Sequence, residues 1–247
     1  MPTFKRAIKK GIERGQFKLY YQPIINLATN EIAGHEALIR WHHPIDDLLM
    51  PSDFIPSCES DPDLMVEICE FVIKQSWRDR KKLHIGNGFI SVNIAPTSLE
   101  MRRFWDVLDE YALVSDRPVL YLEITERLLA HYKVVAPYWT NKQRAVGAFI
   151  DDLGVGESSY IQVAEILKWF PSNDFVKVKL DGAFAQNLKD ATYQWFAKSI
   201  IDSMHNCPTG RIEVIAEGIE EQWQRSLFHE WGCDYGQGWL WGKAEQA

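Results

Sequence analysis

The chain has 247 residues, 46% of them hydrophobic and 25% charged, with a formal net charge of −7. This is globular composition, long enough for two small domains or one large α/β barrel. The acidic balance argues against a long nucleic acid as partner, which needs a basic footprint, and no apolar run approaches the ~18 residues of a membrane span. The basic start, "MPTFKRAIKKGIERGQF", lacks the apolar stretch of a signal peptide. Cys58, Cys69, Cys207 and Cys233 form no CxxC pair, which excludes a zinc ribbon or thioredoxin motif. Free thiols in a reducing cytoplasm are the expectation.

In chain order, residues 3–14 place Phe4, Ala7, Ile8 and Ile12 on one helical face, with Lys5, Arg6, Lys9 and Lys10 around it. A covering helix with a solvated basic side is expected; the same pattern suits a helix continuing from an upstream domain. Two strand-like segments follow, 17–25 and 31–41, and the short "NLATN" between them suits an antiparallel hairpin. His42 and His43, before Pro44, read as a loop without a metal role. From there strand and helix patterns alternate: a helix over 62–82, a strand over 89–94, and a helix opened by a Thr97–Glu100 capping-box spacing. Next come a strand over 118–124 and a helix over 126–143, then a strand over 145–150 and a helix over 161–169. A strand over 174–180 and one long helix over 184–204 follow. A strand over 211–217, a helix over 220–231 and a short strand near 233–237 end the chain. No linker divides it, so residues 1–247 read as one domain. Repeated strand–helix units with buried strands predict a closed (β/α)8-type barrel. The hairpin makes one strand antiparallel.

In such barrels the active site lies at the carboxyl ends of the strands. There stand Asn93, Glu123, the adjacent pair Asp151 and Asp152, Lys179, Glu217 and Gln237, with Glu36 inside the second strand. Any one polar strand end is ordinarily a surface residue. The set is rich in carboxylates, with one lysine and no histidine or cysteine. Two carboxylates ~4 Å apart repel by ~4 kcal/mol at an effective dielectric near 20, so a converging group must protonate or share a cation. All-oxygen ligands suit Mg²⁺ or Mn²⁺ rather than zinc, and an adjacent Asp pair can serve two ions, an arrangement used in phosphodiester hydrolysis. Spacing alone therefore supports a metal-dependent barrel enzyme acting on an anionic substrate. "GVGES" lacks the lysine of a phosphate loop.

"HEALIRW", residues 35–41, resembles the name motif of the EAL domain family. The resemblance runs along the chain in family order: "YYQPI", "SVNIAP", "LEITE", "IDDLGVG", "KLD", "AEGIE" and "GCDYGQG". It implies a modified (β/α)8 TIM-type barrel with one antiparallel strand. It also implies hydrolysis of one phosphodiester bond of cyclic di-GMP to linear pGpG with Mg²⁺ or Mn²⁺, two ions being expected. Matched position by position, Glu36, Asn93, Glu123 and Asp151 resemble the ligands of one metal, with Asp151 shared and Asp152 helping to hold the second. Lys179 matches the lysine that contacts the attacking water. Glu217 matches a glutamate that is either ligand or general base. Gln22, Arg40 and Gln237 resemble substrate-contacting positions, and an Arg fork suits phosphate. Glu126 and Glu220 match the acids that anchor the loop after the Asp pair. Trp239 and Trp241 follow the "GQG" motif; ordinary packing is the expectation for them, with a place at a guanine site as the alternative. The family implies a cytoplasmic location, a homodimer built near the Asp-pair loop, and a sensor or membrane domain upstream.

That loop departs from the family. Where the family reads DDFGTGYSSL, this chain reads "DDLGVGESSY", with Leu153, Val155, Glu157 and Tyr160 at the changed positions. Gly154 and Gly156 keep the turn possible. Altered loop order, metal affinity or dimer coupling is expected rather than loss of ligands. Ala244 stands where the family has Pro. The competing expectation is a catalytically silent member acting as a cyclic di-GMP receptor or protein-interaction module. A lyase of the enolase type fits the carboxylates but not the motif order.

Overall fold

The computed structural model describes residues 2–83, 88–111, 119–124, 146–153, 160–170 and 172–247. The chain opens with helix α1, Pro2–Glu13. Ile8 of this helix is fully buried, and an added Cβ at Gly11 would meet Phe17 and Trp41 at 2.9 Å. The helix thus lies flat on aromatic residues, while Lys5 and Lys9 pair with Asp61 and Glu67. This is a covering helix held from both sides.

Strands β1 (Phe17–Asn26) and β2 (Ile32–His43) form the predicted hairpin. The Asn26 side chain closes its turn, accepting from the Ala28 and Thr29 N–H groups at 3.0 Å. The loop expected at His42 and His43 is instead strand. β2 runs through both and folds back on β3, Asp47–Leu49. Helix α2, Pro51–Cys58, follows; neither it nor β3 has a periodic signal long enough to show in the sequence. Helix α3, Pro62–Asp79, starts on an Asp61 cap that accepts from the Leu64 N–H.

Strand β4 is Phe89–Asn93. The capping box expected from Thr97 and Glu100 does not form. The helix there, α4, is only Pro96–Leu99, capped at Ala95 without a side-chain bond, and α5, Arg102–Tyr111, is separate. Strands β5 (Leu120–Ile124) and β6 (Val146–Leu153) come next. The helix expected over 126–143 lies outside the described residues. Helix α6 is Tyr160–Leu167 and strand β7 Val176–Leu180. The single long helix expected over 184–204 is two, α7 (Gly182–Gln186) and α8 (Ala191–His205). Asp181 and Asp190 each cap one, which breaks the helix that periodicity alone would join. Strand β8 (Glu213–Ala216), helix α9 (Gln222–Glu230) and the short strands β9 (Tyr235–Gly236) and β10 (Glu245–Gln246) complete the chain.

Strands β2, β4, β5, β6, β7, β8 and β9 pair in parallel in that order. β1 closes the ring, antiparallel to both β2 and β9. The result is an eight-stranded TIM-type barrel with one antiparallel strand. A strand alternates its faces with period two, so every second residue points inward. Outward residues such as Leu122, Ala148, Val178 and Val214 form the core under the helices. Inward residues fill the barrel. The middle and lower interior holds Ile24, Phe89, Tyr121, Phe149 and Ile215, and the upper interior is polar.

Candidate active site

The polar layer follows from that alternation. On β7, Lys177 and Lys179 both face inward, the second nearer the carboxyl end. On β1 and β2, Gln22 lies opposite Glu36, and Asn93 is level with Glu123 on β4 and β5. Asp151 and Asp152 would face opposite ways on a regular strand. They do not, because the register slips between Ile150 and Leu153: β6 advances three residues while β7 advances two, from Val178 to Leu180. This is a β-bulge, and Asp152 takes φ +55° there, a left-handed conformation that Asp tolerates better than most residues. The bulge brings carboxylate oxygens of Asp151, Asp152 and Glu217 within 4.8 Å of one another.

Lys179, 2% exposed, is the hub. Its Nζ lies 2.9 Å from Glu123 Oε2, 2.6 Å from Glu217 Oε1, 3.3 Å from Asp151 Oδ1 and 3.8 Å from Glu36 Oε2. Burial disfavours its charge, but Glu123, Glu217, Glu36 and Asp151 together outweigh burial and hold the ammonium well above its ordinary range. Glu36 accepts from Asn93 Nδ2 at 2.8 Å on one oxygen and from Gln237 Nε2 at 2.6 Å on the other. Burial would raise Glu36; the Lys179 charge, these two hydrogen bonds and Arg40 overcome that and keep it low. Gln237 Nε2 also reaches Gln22 Oε1 at 3.1 Å.

The remaining acids are frustrated. Burial, then Glu36 and Asp151, push Glu123 well above the carboxylate range despite Lys179. Burial, then Asp151 and Asp181, push Asp152 up to about 6. Burial, against the opposing pull of Lys179, leaves Glu217 at about 7. Five carboxylates thus share one ammonium, and the excess charge favours the protonated form of Glu123, Asp152 and Glu217. Two buried oxygens, Glu123 Oε1 and Asp151 Oδ1, have no hydrogen-bond partner, the latter being within ion-pair range of Lys179 but badly aligned. Hard oxygen donors, excess negative charge and unpartnered buried lone pairs are what a divalent cation satisfies. The residues present fit such an ion.

Of the expected site residues, Glu36, Asn93, Glu123, Asp151, Lys179, Glu217, Gln22 and Gln237 are brought together by these contacts, and Asp152 joins through the bulge. Arg40 stands four residues above Glu36 on the same face of β2. It is 9% exposed, donates to the Ile39 carbonyl at 2.9 Å and lies over the Tyr20 ring at 5.9 Å. Glu220 has an exposed side chain at the mouth, and its backbone N–H is held by Gln224. Glu126, Val155 and Glu157 lie outside the described residues. Leu153 is buried, pairs with Leu180 and belongs to the core outside the barrel, so it does not line the mouth. Sequence reasoning gave Asp181 no part. It is the cap of α7 and the acid facing Asp152, and an Asp directly before Gly182 and a helix was the available signal.

Two cavities open from this layer and share Glu36. One, of about 620 Å³, is walled by Leu38, Ile55, Pro56, Met65 and Ile94 and reaches Glu123 and Asp152. The other, of about 330 Å³, runs past Gln22, Glu217 and Gln237 to Trp239. Among the described residues no helix is long and apolar enough to cross a membrane.

The EAL domain family model matches residues 5–244. A Mycobacterium tuberculosis protein of uncharacterised function is 32% identical over 96% of this chain and 78% of its own length. The Escherichia coli protein named probable cyclic di-GMP phosphodiesterase PdeB is 31% identical over 96% of the chain, and a cyclic di-GMP phosphodiesterase of Pseudomonas aeruginosa 28% over 93%. The chain spans only 44% and 38% of those two. Among solved structures, the PaMucR phosphodiesterase in complex with cyclic di-GMP is 27% identical, with a TM-score of 0.77, over 99% of this chain and 98% of that one. The EAL enzyme Bd1971, bound to cAMP and cyclic di-GMP, is 26% identical with a TM-score of 0.80 over 99% and 66%.

Proposed function

This chain belongs to the EAL domain family, and from that premise we propose that it is a phosphodiesterase that opens one phosphodiester bond of cyclic di-GMP to give linear pGpG. One observation carries the reading: five carboxylates, Asn93 and a buried lysine converge on one interior layer with more negative charge than the protein itself balances. Non-catalytic binding of an anionic dinucleotide would gain nothing from that excess.

Glu36, Asn93, Glu123, Asp151, Asp152 and Glu217 would hold two divalent cations, Mg²⁺ or Mn²⁺, with Asp151 common to both. Bound there, the cations supply Lewis-acid activation of water and of the phosphodiester oxygens. Lys179 stays protonated, so it acts as a donor that orients the attacking water and steadies charge developing at phosphorus. Glu217, at about 7 in the cation-free mouth, is suited to accept the water's proton; its place beside the Asp pair suits it equally as a cation ligand. Arg40 offers a nearly buried fork to a phosphate, and Gln22 and Gln237 present amides lower down, level with Glu36. The reading extends to a homodimer on the helices beside the Asp-pair strand, where Tyr160 and Ile161 of α6 are exposed. It extends also to a cytoplasmic setting, with regulatory sequence outside this chain.

The test is incubation with cyclic di-GMP and Mg²⁺, Mn²⁺, Ca²⁺ or chelator, with products resolved by chromatography. Linear pGpG should form with Mg²⁺ or Mn²⁺ and not with chelator. Binding of cyclic di-GMP without any pGpG would replace the phosphodiesterase with the silent receptor.

A further inference from the structure

We propose that Trp239 is the stacking platform for one guanine base of the substrate, and so a specificity-determining residue of the mouth. This rests on the reading above that the mouth takes cyclic di-GMP. The sequence offers two tryptophans here without choosing between them, and the structure separates them. Trp241 packs on the core, and an added Cβ at Gly236 would come within 2.7 Å of its ring. Trp239 is 61% exposed and lines the 330 Å³ cavity together with Gln22, Glu36, Glu217 and Gln237. An indole that large, left uncovered beside buried catalytic groups, is not serving the core.

Its position is fixed by the backbone rather than by packing of the ring. The Ile219 N–H donates to the Gln237 carbonyl at 3.1 Å, and the Leu240 N–H donates to the Ile219 carbonyl at 3.1 Å. Between them Gly238 approaches Ile219 so closely that an added Cβ would lie 2.0 Å from the Ile219 carbonyl oxygen. The turn is therefore pinned on both sides of Trp239. Gln237, two residues earlier, is itself bonded to Glu36. Trp239 is thus tied to the reacting layer by a short rigid segment. Lys243 Nζ lies 4.7 Å from the ring centroid and supports the indole by a cation–π contact. A flat, pre-positioned π-face at the rim of a polar cavity suits a nucleobase whose phosphate is held deeper in.

Base–aromatic stacking of this kind is worth roughly 5- to 150-fold in affinity. The experiment measures cyclic di-GMP binding by equilibrium dialysis with Ca²⁺, and steady-state kinetics with Mg²⁺, on wild type, Trp239→Ala, Trp239→Tyr and Trp195→Ala. Trp195 is an equally exposed indole on α8 that lines neither cavity of the mouth. Trp239→Ala should raise Kd and KM about tenfold, with kcat changed less than about threefold. Wild type should show ligand-induced quenching of tryptophan fluorescence, and Trp239→Tyr should restore most of the affinity and lose that quenching. Trp195→Ala should match wild type in Kd and in quenching. Equal Kd for wild type and Trp239→Ala, or undiminished quenching in Trp239→Tyr, overturns the platform and leaves the phosphodiesterase standing. Wild type that binds cyclic di-GMP without hydrolysing it overturns the phosphodiesterase and leaves the platform to be judged on Kd. Wild type that binds none overturns both.

Discussion

Two lysines stand two residues apart on one face of β7, and the barrel treats them in opposite ways. Lys177, at the lower end, is 5% exposed. Its ammonium lies 5.2–5.6 Å from the ring centroids of Phe89, Tyr121 and Tyr235. It pairs with Glu213, whose other oxygen accepts from the Tyr235 hydroxyl at 3.0 Å. One cation meets one anion and three π-faces, and the local charge closes. Lys179, at the upper end, faces four carboxylates with Asp152 just beyond. No arrangement of those side chains alone closes that charge. A buried group that is balanced serves the fold, whereas a buried group left unbalanced is held in place by the rest of the fold for some other partner.

Four perturbations should separate the two ends of the barrel. The largest expected effect is at Glu36. Glu36→Ala removes the carboxylate that ties Asn93 to Gln237 and should abolish turnover while circular dichroism shows an intact barrel. Turnover at the wild-type rate would remove Glu36 from the cation-binding set. Next is Lys179→Met, expected to lower kcat by roughly 10²–10³ and to make thermal stability depend more steeply on Mg²⁺, because the mouth then has no cation of its own. A smaller effect is expected in chelated wild-type protein, read as Tm against pH. Glu217 rises from 4.5 to about 7 and Asp152 from 3.8 to about 6 on folding. The folded state therefore binds more protons than the unfolded chain across that range. Stability is fully present below the unfolded values and is lost as pH climbs towards 7. Mg²⁺ or Mn²⁺ at pH 7.5 should recover it, and a flat profile would contradict the excess charge. Smallest for catalysis is Lys177→Met. It should cost about 2 kcal/mol, or roughly 4–8 °C in Tm, through the lost ion pair and cation–π contacts, with kcat unchanged. A fall in kcat like that of Lys179→Met would erase the distinction between the two ends.

The two ends were not equally legible. The acids of the upper layer stand where apolar strands meet polar residues, so alternation and the "EAL", "IDD" and "KLD" stretches expose them in the sequence. The aromatic seat of Lys177 draws Phe89, Tyr121, Glu213 and Tyr235 from four strands, and no local pattern connects them. Arg40 and Glu36 share a face because both positions are even on one strand, which a sequence shows. That Arg40 settles over Tyr20, nearly buried, depends on the register of the hairpin.

By itself the sequence determined the order of the eight barrel strands, the antiparallel hairpin, the family and most of the candidate acids, because these depend on period, turn chemistry and motif within a few residues. Tertiary structure alone decided the rest. β1 closes the ring on β9, more than 200 residues away in the chain. The bulge after Ile150 turns Asp151 and Asp152 to the same mouth because β6 must keep register with β7 on either side of it. Competing caps at Asp181 and Asp190 divide one periodic helix into two. Contact with Ile219 sends Trp239 outward to the cavity while Trp241 turns in to the core. Each outcome is fixed by pairing or packing between distant segments, whose energies exceed local preference.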